Sequence, residues 1–302
     1  MDSNNMKLDL KENGLKQDAA KLQENLAKRS TLKITPAEYR LMCKNEELPP
    51  EAGTDFFCEG YLQTCPIMLP KEYAFEFLTF CTRNPRGLWV TEILEPGVPY
   101  TKIQAPDADI RTDINRYRIY EYGKVVDKPR NLLKYWRDDL VTFFLNCSLG
   151  FEGGLRNNNI EFRTMGAFIT NIPAMPAGRF SCEGMWVTCR VFKSTHDAVR
   201  AIEITSRLPI SHGTPIHIGD PARLGIKDIL KPDIWCSPTP NEPPKPDEII
   251  MFWHCGLTAE VAMVNAKVPF AIMLYPGAEF ISDHLAEEFA HTEEVGTHLV
   301  NL

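Results

Sequence analysis

The chain has only seven histidines among 302 residues, no CxxC pair, no basic tract and no long apolar run. Each absence removes a class of function. Without CxxC spacing, zinc-ribbon and thioredoxin-type sites find no support. Nothing matches a dinucleotide or phosphate-loop fingerprint, so no nucleotide cradle is announced. The formal net charge is −7. An acidic surface repels phosphate backbones, so no nucleic acid partner is expected. The most apolar stretches, "LVTFFL", "EIIMFW" and "PFAIMLY", fall far short of the roughly 18 residues that span a bilayer. The start, "MDSNNMKLDLKENG", has no apolar signal core, and its Asp2, Asp9 and Glu12 argue against a mitochondrial leader. These features predict a soluble, cytoplasmic protein with no membrane partner.

Cysteine is plentiful: Cys43, Cys58, Cys65, Cys81, Cys147, Cys182, Cys189, Cys236 and Cys255. Nine is an odd number, so reduced thiols serving mostly as small core residues are expected.

A hydrophobic content of 44 % over this length allows a substantial core. Leu15, Ala19, Leu22 and Leu26 recur at helical spacing and suggest a helix in an N-terminal extension, residues 1–34. "TPAE" is a stronger start: Thr35 caps, Pro36 fits the first helical position, and Glu38 closes a capping box. Pro70 opens another helix through "KEYAFEFLTFC", with Phe75, Leu78 and Cys81 facing inward. "LWVTEIL", "YRIYEYG", "IEFR" and "MWVTCRVF" read as strands. "WRDDLVTFFLNC" and "STHDAVRAIEITSRL" read as helices, the second capped by Ser194 or Thr195, and "EGGLRNNN" as a break. Residues 231–248 contain six prolines and read as a surface loop.

Towards the C-terminus, "EIIMFWHC" reads as a strand buried on both faces. "GLTAEVAMVNAK" follows as a turn and helix, and "PFAIMLY" as a second buried strand. That order predicts a parallel right-handed crossover. The expected fold class is α/β, with a three-layer αβα core over residues 35–302 and a second lobe from the hairpin-like middle.

Four stretches could carry chemistry. "SHGTPIHIGDP" places His212, His217 and Asp220 within nine residues. The histidines are five apart, and Gly213 and Pro215 between them break a helix. An extended segment puts them on opposite faces, so no local metal pair is prescribed. "PIHI" reads as a short strand between tight turns. Asp220 either orients a ring or caps a turn. In "ADIRTDINRYR", Asp109, Arg111 and Asp113 share one face if extended, and Arg116 and Arg118 share the other. They form either a solvated edge or a carboxylate clamp. Cys147, Ser148 and Glu152 cluster at the end of the "WRDDLVTFFLNC" helix. Cys147 is a nucleophile or a structural thiol, and Glu152 an acid–base group or a surface carboxylate. "FWHCGLTAE" ends a buried strand at His254 and Cys255, turns through Gly256, and starts a helix near Thr258. Strand ends and helix starts of this kind favour anionic ligands.

The segments "GYLQTCPIMLP", "FCTRNPRG", "ADIRTDINRYRIY", "WRDDLVTFFLNCSLGFE", "PAGRF", "ITSRLPISHGTPIHIGDP", "MFWHCGLT" and "YPGAEFISD" together resemble the D-glutamate cyclase and hydro-lyase family, in its order and over most of residues 35–283. The resemblance implies an α/β fold with an inserted two-layer α+β lobe, placed here roughly within residues 112–215. It also implies carbon–oxygen lyase chemistry on a small carboxylated substrate, exemplified by loss of water from D-glutamate to give 5-oxo-D-proline. The chain departs from the usual family pattern at Cys65, Asn146, His254 and Leu274.

On this reading Arg111 and Arg118 hold carboxylates. His212 or His217 acts as acid or base, oriented by Asp220 or Asp113. Amides at Ser148 and at residues 256–258 stabilise a negative oxygen, with Arg207 nearby. No cofactor is expected. A divalent metal stays open, since His, Asp and Cys are present without diagnostic spacing, and so does a homo-oligomer. The alternatives are a cyclase or eliminating enzyme for a specialised metabolite, and a non-catalytic ligand-binding relative.

Overall fold

Thr35 opens the first helix with the capping box its sequence announces. Its hydroxyl accepts from Glu38 N at 3.2 Å, and the Glu38 carboxylate takes the Thr35 N–H at 2.7 Å. The computed structural model describes residues 33–234 and 242–290. The apolar pattern of residues 15–26, Cys236 and part of the proline-rich stretch lie outside the described residues.

Five α-helices and eleven strands follow in chain order among the described residues. They are α1 (Pro36–Lys44), β1 (Tyr61–Pro70), α2 (Lys71–Arg83), β2 (Val90–Leu94), β3 (Tyr117–Glu121), β4 (Lys124–Asp127), β5 (Leu140–Asn146) and α3 (Leu149–Asn157). Then come β6 (Phe162–Ile169), β7 (Trp186–Phe192), α4 (Thr195–Ser206), β8 (His217–Ile218), β9 (Ile249–His254), α5 (Leu257–Ala266), β10 (Ala271–Leu274) and β11 (Phe280–Leu285).

The strands form two sheets. One has seven strands in the order β2-β5-β1-β10-β3-β4, with β11 also paired to β1; the other has four, β6-β7-β9-β8. Every pairing between these strands is antiparallel. The parallel crossover expected from β9, α5 and β10 does not form. β9 pairs with β7 and β8, whereas β10 pairs with β1 and β3 in the other sheet. The described residues show a mixed α/β fold of two antiparallel sheets and no three-layer arrangement.

Three further expectations are corrected. "WRDDLVTFFLNC" is not a helix: Asp138 and Asp139 sit in a turn and β5 follows, its seven residues all buried between β1 and β2. Val141, Thr142, Phe143 and Phe144 are β-branched or aromatic and suit a pleated, doubly covered strand. "EGGLRNNN" is not a break, because α3 runs through Gly153 and Gly154. Its glycines permit close packing: a Cβ on Gly153 would run into Gly60 N, and one on Gly150 into Ser211 Oγ. On α2, Phe77, Phe80 and Cys81 face inward while Phe75 is 81 % exposed. Other readings hold. Ser194 caps α4 by accepting from Asp197 N at 3.1 Å, and "PIHI" contains the short strand β8.

Two strand–helix–strand passages join the sheets in opposite senses. β5 leads through α3 to β6, and β9 leads back through α5 to β10. Each passage leaves its strand at a cysteine, Cys147 or Cys255, just before the helix begins. Apolar packing fixes both. Phe151 of α3 lies 5.3 Å, centroid to centroid, from Trp253 of β9. Ala259, Ala262 and Met263 of α5 join Phe77, Phe143 and Phe180 in one buried cluster. No helix among the described residues is long and apolar enough to cross a membrane.

Candidate active site

β1 is the strand that assembles the site. Its start pairs with β11, Gln63 opposite Ile281 and Thr64 opposite Phe280. Continuing that register puts Cys65 across from Glu279. On its other edge, Thr64 is opposite Asn146 of β5, which puts Gln63 across from Cys147. Residues two apart on a strand share a face, so Gln63, Cys65, Cys147 and Glu279 lie together. Cys147 Sγ is 3.8 Å from Glu279 Oε1. Thr54 Oγ1 donates to Glu279 Oε2 at 2.9 Å. Burial, followed by the charge of Asp55, raises the Glu279 carboxyl to about 7.

The thiols are not activated. Cys65 donates a hydrogen bond to Cys147, which together with burial holds the Cys65 thiol well above its ordinary value. That hydrogen bond favours a Cys147 thiolate, but burial and the Glu279 charge outweigh it and Cys147 is raised as well. Burial pushes Cys255 up to about 12. A carboxyl raised to about 7 therefore stands among neutral thiols.

Two helices begin here. The Leu149 amide at the start of α3 hydrogen-bonds the Cys147 sulfur, and the Leu257 amide at the start of α5 does the same for Cys255. A Cβ on Gly256 would be 3.6 Å from Asn146 O and 4.0 Å from Cys65 Sγ, so the two strand ends are neighbours. Both macrodipoles present their positive ends to this region.

Beneath the helices lies Arg190 of β7, with its guanidinium over the Phe151 ring. Its Nε and Nη2 donate to Glu152 Oε1 at 2.9 and 2.6 Å, its Nη2 to Ser148 Oγ at 2.9 Å, and its Nη1 to Thr188 Oγ1 at 2.9 Å. Arg156 takes Glu152 Oε2 at 2.7 Å. Burial alone would raise Glu152, but the two guanidinium groups overcome it and hold this carboxylate below its ordinary value. The Glu152 carboxylate, favoured in its anionic form, fixes Arg190 and the first turn of α3.

A histidine pair flanks the thiols. His212 sits in a left-handed turn, φ 74°, and its Nδ1 lies 2.9 Å from Asn146 Nδ2 and 3.1 Å from Arg86 O. Asn146 Nδ2 can donate to a bare Nδ1, whereas Arg86 O can only accept from a protonated one. Burial lowers His212 to about 3; burial and the Arg86 charge lower His254 to about 4. Both rings are neutral at physiological pH.

That neutrality predicts acid sensitivity. A histidine whose folded pKa lies below its unfolded value leaves the unfolded chain with more bound protons in between. Stability is full above about pH 6.5 and falls as pH drops, by ~1.4 kcal/mol per pH unit for each ring, down to about 4 for His254 and about 3 for His212. Urea melts at about pH 7 and about pH 5 are expected to show this slope, and His212→Gln to flatten it. An unchanged slope in the variant would contradict the assignment.

Of the residues singled out from sequence, Cys147, Ser148, Glu152, His212, Cys255, Gly256 and Thr258 come together here. Thr258 Oγ1 accepts from Trp186 N at 2.9 Å and ties α5 to β7. Arg118 pairs with Glu260 of α5 at 2.7 Å, both nearly fully buried, and so anchors that helix on β3. The first part of the charged row, residues 109–113, is not extended, while Arg118 lies in β3. Asp109 O accepts from both Thr112 N and Asp113 N, a turn in which Arg111 pairs with Asp109 at 2.7 Å and Asp113 accepts from Asp109 N. His217 Nε2 lies 2.8 Å from Asp220 O, and Asp220 caps Ala222 N at 2.9 Å. Arg207 is exposed at the end of α4. Glu279, Arg190 and Thr54 are not among the residues singled out, and Cys65 and Asn146 are marked in the sequence only as departures from the usual family pattern. Glu279 and Arg190 did leave a signal: each is a lone charge inside an otherwise apolar stretch, "AEFIS" and "MWVTCRVF".

Known proteins are similar to this chain. A family model for D-glutamate cyclase matches residues 141–283, which carry Cys147, Glu152, Arg190, His212, Cys255 and Glu279. A protein of Bacillus licheniformis named "Putative hydro-lyase" is 39 % identical over 263 residues, covering 85 % of this chain and 97 % of that one. The chain belongs to the D-glutamate cyclase family. Relatives in this family with the same descriptive name include one from Geobacillus kaustophilus, 41 % identical over 83 % of this chain and 94 % of its own. Another, from Oceanobacillus iheyensis, is 42 % identical over 78 % and 93 %. A solved nitrogen repressor-like protein from Methanococcus jannaschii aligns with 83 % of this chain and 99 % of its own at TM-score 0.37 and 12 % identity, too remote to carry an argument.

Proposed function

We propose that this member of the D-glutamate cyclase family is a hydro-lyase that removes water from a small carboxylated substrate, with D-glutamate closing to 5-oxo-D-proline as the leading case. The observation that carries the reading is Glu279: a buried carboxyl raised to about 7, facing Cys147 at 3.8 Å, beside the starts of α3 and α5.

Lactam closure forms a C–N bond and breaks a C–O bond. The amine loses a proton, and the departing hydroxyl gains one and leaves as water. A single carboxyl near neutrality can accept the first proton and return the second. The carbonyl oxygen turns negative as the amine attacks, and the helix starts offer amides and positive dipole ends to it. The neutral thiols support acid–base chemistry over a covalent thioester route. Glu152, Ser148 and Thr188 hold Arg190 in place beneath the site.

A second reading keeps the chemistry and shifts the substrate. Cys65, Asn146 and His254, three departures from the usual family pattern, all lie in or beside this site. Purified protein incubated with D-glutamate and a panel of amino and hydroxy acids, read by mass spectrometry, tests both. Water loss from D-glutamate supports the first reading, and water loss only from another acid supports the second. Binding without turnover by folded protein would instead indicate a ligand-binding relative.

A further inference from the structure

Acid–base chemistry at Glu279 does not call for two thiols, yet Cys65 and Cys147 stand beside it. The two Sγ atoms and a Glu279 carboxylate oxygen lie within 4.8 Å of one another. A tetrahedral zinc ion, with Zn–S of about 2.3 Å and Zn–O of about 2.0–2.2 Å, needs donors roughly 3.5–3.8 Å apart. Cys147 and Glu279 already meet that spacing at 3.8 Å. The donors come from β1, from the residue after β5 and from the residue before β11, and strand register rather than a flexible loop holds them on one face.

Gln63 supplies an independent sign. It shares that face, and its Oε1 is buried with no hydrogen-bond partner among the described residues. A buried amide oxygen without a donor is costly. A water bound to a cation would satisfy it. Soft sulfur donors favour zinc-class ions over magnesium or calcium.

We propose that Cys65, Cys147 and Glu279 bind one thiophilic divalent cation of the zinc class, with a water in the fourth position donating to Gln63. On binding, each thiol releases its proton to solvent and its sulfur takes the cation instead. One consequence rests on the dehydration reading: Glu279 bound to the cation no longer carries protons, so the loaded protein is silent in the water-loss assay and a chelator restores it.

The test titrates the metal-stripped full chain with Zn²⁺ against a chromophoric chelator, without substrate, and with Co²⁺ as a spectroscopic probe. One Zn²⁺ per chain and an intense thiolate-to-cobalt charge-transfer band are expected. Cys65→Ser is expected to weaken Zn²⁺ binding about 100-fold or more and to diminish the band, while Glu279→Gln keeps the band and binds more weakly. Wild-type protein that binds no Zn²⁺, or shows no cobalt–thiolate band, overturns the proposal whether or not the variants fold. Unchanged binding in folded Cys65→Ser overturns it too. Because binding is read without turnover, a silent dehydration assay leaves this result standing, and the reverse also holds.

Discussion

Glu279→Gln is expected to lower kcat/KM by about 100- to 10,000-fold while the protein stays folded. Glutamine matches the shape of the carboxyl and retains an oxygen to accept from Thr54, which donates to Glu279 at 2.9 Å. It loses only the capacity to take and return a proton. A neutral amide is also easier to bury than a carboxylate, and Glu279 is only 8 % exposed. The thermal midpoint is therefore expected to hold or rise as activity falls, the opposite of simple misfolding. Steady-state kinetics and a melting curve on one preparation check both halves. Turnover within a few-fold of wild type would remove Glu279 from the proton path.

Glu152→Ala is expected to cost stability rather than chemistry alone, by about 3–5 kcal/mol. The carboxylate binds Arg190, whose side chain is 2 % exposed, and Arg156 on its other oxygen. Its removal leaves Arg190 charged, buried and held only by Thr188 and Ser148. Arg190→Met combined with Glu152→Leu removes both charges at once. That double variant is expected to recover much of the loss, because an apolar pair of similar volume pays no desolvation cost. Urea denaturation gives the comparison. A loss below about 1 kcal/mol in Glu152→Ala would mean that water or another anion replaces the carboxylate.

The helix caps at Thr35 and Ser194 were legible in the sequence because their signals are local: a hydroxyl and its partner sit three residues apart. The junction from β9 through Cys255 to α5 was legible for the same reason, a closed apolar run followed by glycine and a helical pattern. β5 was not. Its run of Leu140, Val141, Phe143, Phe144 and Leu145 suits a buried helix or a buried strand equally, and only pairing with β1 and β2 decides. The sheet assignment of β9 and β10 is likewise non-local, since their partners are fixed by distant strands.

The site followed the same division. Cys147, Ser148 and Glu152 stand out in the sequence as a cluster, but a helical reading of β5 puts them at a helix end, whereas they lie at a helix start. Arg111 and Asp113 drew notice as a row, yet Asp109 folds them into a local turn. Cys65 and Glu279 are more than 200 residues apart, and only the β1–β11 register brings them together. Glu279, just before β11, and Arg190, within β7, each carry a charge beside apolar neighbours, a pattern that burial makes expensive and function or pairing must offset.

A time course of D-glutamate and related acids with wild-type protein and Glu279→Gln side by side, read by mass spectrometry, tests the account most directly. The account predicts a product lighter by one water with wild type, and that product suppressed in the variant. Equal formation of that product by both proteins, or none from folded wild type with any member of the panel, would contradict it.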